Sequence, residues 1–175
     1  MTLQSNISII VILYAKSKLR EELGKWNWLV LRIYGKGSVD LFKDHIMASK
    51  QNRREKRPAR VLMYSHDSFG LGHLRRCREI AHSLVESTSQ LSVLILSGSP
   101  IIGNFDFRTR VDFVRIPGVI KLRNGDYTSL SLHLDIEETL ELRESIIRHT
   151  ADIFDPDLFI VDKEPWGLRG EVKQT

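Results

Sequence analysis

The sequence predicts an α/β fold: a Rossmann-like parallel sheet of four strands, order 3-2-1-4, with helices on both faces. Three observations predict it. Short apolar runs at residues 61–65 (VLMYS), 91–96 (LSVLIL), 111–116 (VDFVRI) and 158–161 (LFIV) mostly lack the polar alternation of a half-exposed strand. Helical periodicity fills the intervals after the first and third runs, and every run gives way to a loop rich in Gly, Pro, Ser or Asp. Right-handed crossovers then put two successive units on one side of the first strand before the chain switches to the other side, which gives the order.

Each element has its own signature. After the first run comes a glycine loop and a helix beginning near Gly72, where Leu74, Cys77, Ile80, Ala81, Leu84 and Val85 recur at three- and four-residue spacing. Cys77 lies on that face and reads as a small buried hydrophobe; as the single cysteine it excludes an internal disulfide and a multi-cysteine zinc site. Ser97-Gly98-Ser99-Pro100 ends the second run and Pro117-Gly118 the third. Asp135, with Glu138 three positions on, caps a second helix whose inner face is read as Ile136, Leu140, Ile147, Ala151 and Phe154.

The charge is unevenly spread. Residues 1–57 hold 12 basic and 5 acidic side chains, net +7, whereas residues 58–175 hold 14 and 17, net −3. The folded part therefore lacks the basic footprint of a nucleic-acid-binding domain, and no nucleic-acid partner is expected. The stretch 50–60 (KQNRREKRPAR) reads as a solvated linker or helix end, so the domain boundary is set at Pro58. Upstream, residues 7–14 fit either a buried strand or a helix, and residues 19–34 look helix-like. Residues 1–57 are expected to be a basic extension, poorly ordered or an anchor on an anionic membrane surface. Their longest apolar run is far shorter than the roughly 20 residues of a spanning helix and lacks a signal-peptide pattern. A cytoplasmic location follows as the expectation, peripheral at the membrane if the anchor reading holds.

In an open parallel sheet, ligands sit beyond the carboxyl ends of the strands. The loop after the first strand is His66-Asp67-Ser68-Phe69-Gly70-Leu71-Gly72-His73. Its glycines allow either close approach to a phosphate or oxyanion at the helix start, or simply a tight turn. Arg75, Arg76 and Arg78 oppose the helix dipole, and call for compensation by Asp67, by Glu79 or by a bound diphosphate. Arg75 stands where a dinucleotide fingerprint needs its third glycine, and Ser97-Gly98 brings no carboxylate for a ribose, so neither a nicotinamide nor a flavin cofactor is implied. A second cluster, Asp162-Lys163-Glu164-Pro165-Trp166-Gly167, follows the fourth strand and should emerge at the same edge, either as a site or as an ion-paired loop.

Taken together, SHDSFGLGHLRR, ILSGSP, VRIPG and VDKEPWGLRGE resemble the N-terminal domain of GT-B glycosyltransferases, most closely predicted enzymes related to glycosyltransferase family 28. The resemblance spans about residues 60–172. It implies the acceptor-side half of a sugar-transferring enzyme over residues 58–175, with a nucleotide-sugar donor and a hydroxyl-bearing acceptor as partners, and no cofactor or metal. His73 becomes the first catalytic candidate; Glu164, from its place after the fourth strand, is the second, as a base or an acceptor-binding carboxylate. The resemblance carries Gly70, Gly72 and His73 over as phosphate- or acceptor-facing positions; place in the two loops adds Ser68, Leu71, Arg75 and Lys163 to them, with His66, Asp67 and Trp166 in support. A GT-B enzyme continues past the position of Thr175 into a second Rossmann-like domain that supplies most donor contacts. The expectation is therefore a fragment, a truncated product or a half working beside a separate donor-binding subunit. The competing reading is a non-enzymatic partner or regulatory module using the same edge.

Overall fold

The computed structural model describes residues 9–15, 27–33, 57–66 and 71–175. In chain order these form β1 (Ile9–Ala15), β2 (Asn27–Ile33), β3 (Ala59–Ser65), α1 (Gly72–Ser87), β4 (Leu91–Ser97), β5 (Val111–Arg115), β6 (Val119–Lys121), β7 (Tyr127–Ser129), α2 (Ile136–Phe154) and β8 (Leu158–Asp162), with short 3-10 turns at Ile102–Asn104 and Leu168–Gly170.

Four strands are parallel in the order β5-β4-β3-β8, which is the predicted 3-2-1-4. Val61 lies opposite both Val93 and Leu158, so the carboxyl ends of β3, β4 and β8 reach the same edge. Because side chains alternate along a strand, β3 feeds two cores. Val61 and Met63 join Leu74, Cys77, Ala81, Leu84 and Val85 of α1 on one face. Leu62 and Tyr64 join Ile147 and Ala151 of α2, with Phe159 and Val161, on the other. Cys77 is buried, as expected.

Beyond β8 the sheet continues as β1 and then β2, both antiparallel to their neighbours. The helix-like reading of residues 19–34 is therefore corrected over Asn27–Ile33, which is a strand. Its sequence, NWLVLRI, is rich in aromatic and branched residues, and cross-strand pairing overrides a weak helical period. Apart from Ile9–Ala15, Asn27–Ile33 and Arg57, residues 1–57, including the basic stretch 50–56, lie outside the described residues. No helix among the described residues is long and apolar enough to cross a membrane.

The helix ends are closed by different means. Asp135 and Glu138 form the anticipated capping box at the start of α2, Glu138 N–H donating to Asp135 Oδ1 at 2.7 Å. The last turn of α1 has no basic residue of its own; Arg110, at the start of β5, donates to the carbonyls of Val85, Thr88, Ser89 and Leu91 at 2.5–3.1 Å. A guanidinium there satisfies orphan carbonyls and complements the helix dipole. The β6–β7 hairpin, turning at Asn124-Gly125 with Gly125 at φ +95, was not anticipated, although Asn-Gly is a strong turn signal.

The expected inner face of α2 is right at Ile147 and Ala151, while Ile136, Leu140 and Phe154 are only partly buried. The stripe is completed by Thr139 and Arg143. Arg143 is wholly buried and grips Glu171 with two bonds of 2.7 Å, from Nε to Oε2 and from Nη2 to Oε1. Its Nη1 donates to the Pro117 carbonyl, and the Tyr64 hydroxyl donates to Glu171 Oε1 while accepting the Leu168 N–H at 3.2 Å. Burial and the Glu171 charge push the Tyr64 pKa well above its ordinary value, so the phenol stays a donor. One fully satisfied network thus ties β3, the β5–β6 connection, α2 and the C-terminal segment together.

Removing one partner leaves an uncompensated buried charge, so Arg143→Met should cost about 3–5 kcal/mol of unfolding free energy. Arg143→Met combined with Glu171→Leu should recover much of that loss. Urea denaturation of the three proteins checks both statements; additive losses in the double variant would contradict the network.

Candidate functional site

The site lies at the shared carboxyl edge of β3 and β8. β8 is buried along its whole length and delivers Asp162, 2% exposed, at its last position. Both carboxylate oxygens are engaged across the gap to α1: Oδ2 with His73 Nδ1 at 2.6 Å, and Oδ1 with Arg76 Nη1 at 2.9 Å. His73 and Arg76 are three positions apart and so share a helix face, which is what lets one carboxylate hold both. An acceptor carboxylate assigns the Nδ1 position to the proton, leaving Nε2 of a neutral His73 as a free base. The His73 side chain is 23% exposed, so it is reachable.

The compensation for the arginines comes from Asp162 for Arg76 and from Glu79 for Arg78, whose Nη1 lies 2.9 Å from Glu79 Oε1, while Arg75 is exposed. Among the described residues the start of α1 has no side-chain cap; Leu71 holds the N-cap position and His73 Nδ1 is turned to Asp162 instead. Asp162 was quoted within the second cluster but not singled out as a site residue. The legible signal was an acidic residue closing an otherwise apolar run, followed by a loop.

Gly72 answers the question of the glycines in part. A Cβ built there meets nothing within 4 Å among the described residues, and its φ is not in the left-handed range. The backbone therefore does not require glycine at 72, and no described residue fills the space its missing side chain leaves at the helix start. Asp67, Ser68 and Gly70 lie outside the described residues.

His66 stands at the end of β3, 3% exposed, its ring 5.8 Å from that of His73 in an edge-on arrangement. Its Nδ1 has no hydrogen-bond partner among the described residues. An unsatisfied buried polar atom costs about 1–3 kcal/mol, so it invites an occupant. Burial lowers the His66 pKa below its ordinary 6.5; Lys163 and His73 push in the same direction, against Glu164 and Asp162.

No family model, no curated protein and no solved structure matches the chain.

The functional reading accordingly rests on the residues themselves. After Asp162 the chain turns sharply: Lys163 sits at φ +71, a conformation that costs a non-glycine residue about 1–3 kcal/mol and concentrates at functional sites. Lys163, Glu164 and Trp166 are all exposed beyond the strand end. Gly167, at φ +67, closes the loop, and a Cβ there would meet Val172 Cγ2 at 2.6 Å. The loop is thereby fastened to the C-terminal turn that carries Glu171. A separate surface depression of about 460 Å³, lined by Val85, Phe107 and Arg108 among others, lies at the far end of α1 and contains none of these residues. Among the described residues no cluster of His, Cys, Asp or Glu is arranged to hold a metal ion.

Two outcomes follow. Gly72→Ala should be neutral or stabilise by about 0.4–1 kcal/mol, since alanine fits the backbone and restricts the unfolded chain; a urea midpoint that falls would show a hidden close contact. His66 has a folded pKa below its unfolded value, so the unfolded state binds more protons, and its contribution is present above about pH 6.5 and lost as pH falls below it. Stability measured from pH 7.5 down to 5 should therefore fall less steeply in His66→Asn than in the parent chain.

Proposed function

We propose that residues 58–175 form the acceptor-side unit of a glycosyltransferase, which moves a sugar from a nucleotide-sugar donor to a hydroxyl acceptor, with His73 as general base. The observation that carries the proposal is the 2.6 Å contact of His73 Nδ1 with buried Asp162, at the carboxyl edge of the parallel sheet.

Sugar transfer needs a base at the attacking hydroxyl and positive charge or free amides near the leaving diphosphate. Asp162 fixes the tautomer and stabilises the imidazolium that forms when His73 Nε2 takes the acceptor proton, the role a buried carboxylate plays toward a catalytic histidine. The start of α1, which has no side-chain cap among the described residues, offers amides at Gly72 and His73, with Arg75 and Lys163 exposed nearby as cations. Trp166, 38% exposed on the loop after β8, offers a flat apolar surface for a sugar ring. Glu164, on the same loop, is the alternative base. The amino-acid resemblance to GT-B enzymes supplies the reaction class, and in those enzymes the donor is held mainly by a second Rossmann-like domain.

With a donor-binding domain supplied, His73→Ala should lower turnover by about 100-fold or more. Asp162→Asn should lower it too, because an amide can donate to Nδ1 and reverse the tautomer. Steady-state rates with a panel of nucleotide sugars, read beside urea unfolding of the same variants, make the test. Unchanged turnover with lowered stability would reduce His73 to scaffold and leave Glu164 as the base. Calorimetry on residues 58–175 alone should show weak or no binding of nucleotide sugar; micromolar binding would overturn the assignment of this unit to the acceptor side.

A further inference from the structure

We propose that His66 Nδ1 is a binding seat for an uncharged hydroxyl of the acceptor, so that two neighbouring imidazoles divide the work, His66 holding the acceptor and His73 deprotonating it. The identity of the occupant as an acceptor hydroxyl rests on the glycosyltransferase reading; the seat itself does not.

Three features locate the seat. His66 is 3% exposed and yet its Nδ1 lacks a partner among the described residues, whereas His73 Nδ1 is committed to Asp162. The large majority of buried polar side-chain atoms in folded proteins are paired, so an orphan at a strand end in a candidate site points to a missing group. The ring also lies where a ligand belongs: it ends β3 at the carboxyl edge of the sheet, 5.8 Å from the His73 ring centre. A polyol with one hydroxyl on His66 therefore has its neighbouring hydroxyls within reach of His73.

The surroundings select the chemistry. Lys163 and His73 on one side and Glu164 and Asp162 on the other act on His66 with opposite signs, and burial tips the balance toward the neutral ring. An anionic group would be served best by an imidazolium. A neutral imidazole instead serves a group that can either donate or accept, which is the property of a hydroxyl.

The experiment uses the whole 175-residue chain, labelled with ¹⁵N, and methyl β-glucopyranoside and N-acetylglucosamine as probes, with inorganic phosphate as the anionic control. Long-range ¹H–¹⁵N spectra read the two nitrogens of each imidazole. The expected result is that saturating glycoside shifts His66 Nδ1 toward a hydrogen-bonded value, that phosphate does not, and that His66→Ala weakens glycoside binding by about tenfold. His66→Asn, whose amide places a polar atom close to the Nδ1 position, should retain most of the binding and remains informative if the alanine variant unfolds. A His66 Nδ1 already hydrogen-bonded without probe, or unmoved by glycoside, overturns the seat, as does equal binding by the parent and both variants. A response to phosphate alone overturns the hydroxyl assignment. If His66 responds to glycoside while no nucleotide sugar supports transfer with a donor domain present, the seat stands and the glycosyltransferase reading falls.

Discussion

One buried pair, Arg143 with Glu171, ties α2 to the C-terminal turn, to the β5–β6 connection and, through Tyr64, to β3. A guanidinium taken fully out of water is tolerable only if its donors are met, and here two go to one carboxylate and a third to the Pro117 carbonyl. Those partners come from segments far apart in the chain, so the charge demands that α2, the β5–β6 connection and the C-terminal turn arrive together. A hydrophobic side chain at 143 would fill space but would not dictate which carbonyl and which carboxylate lie beside it. The pair therefore specifies geometry more than it adds stability, and the Tyr64 hydroxyl carries that specification into β3, two residues before His66.

The site is assembled by the same logic on the other side of the sheet. Parallel pairing brings the ends of β3 and β8 together without any side chain choosing to meet another. α1 starts beyond the loop that follows β3, and its first turns present His73 and Arg76 to the last residue of β8. Asp162 is consequently the hinge between backbone topology and chemistry: a strand residue by position, a hydrogen-bond acceptor by function. The loop that follows bends at once through a left-handed Lys163, which projects Glu164 and Trp166 beyond the edge rather than along it.

How much of this could be read from the residues follows from the range of each interaction. The four parallel strands and two helices were legible because apolar runs and three-to-four spacing are local, and the order followed from handedness rules. The capping box at Asp135 and Glu138 was legible for the same reason. The meeting of His73 with Asp162 was not, since 89 residues separate them and only the sheet makes them neighbours. Arg143 was missed because a charged residue on a helix is read as solvent-facing, and its partner lies 28 positions away. The strand at Asn27–Ile33 was misread because its identity depends on β1 beside it. The Asn124-Gly125 hairpin was within reach of local reading and passed over.

The outermost parallel strand, β5, is flanked on one side only among the described residues. A bare strand margin is a template on which a second chain can stack, and growth of that kind leads to fibrils. Here the margin is defended: Asp112 turns its carboxylate back onto the Phe113 amide at 2.8 Å, occupying a donor that an incoming backbone would need, and Asp112 and Arg115 are exposed, placing charge of both signs along the five-residue strand. On this side the sheet thus ends in a side chain that imitates a neighbouring strand for one residue, flanked by charges that an incoming strand would have to strip of water.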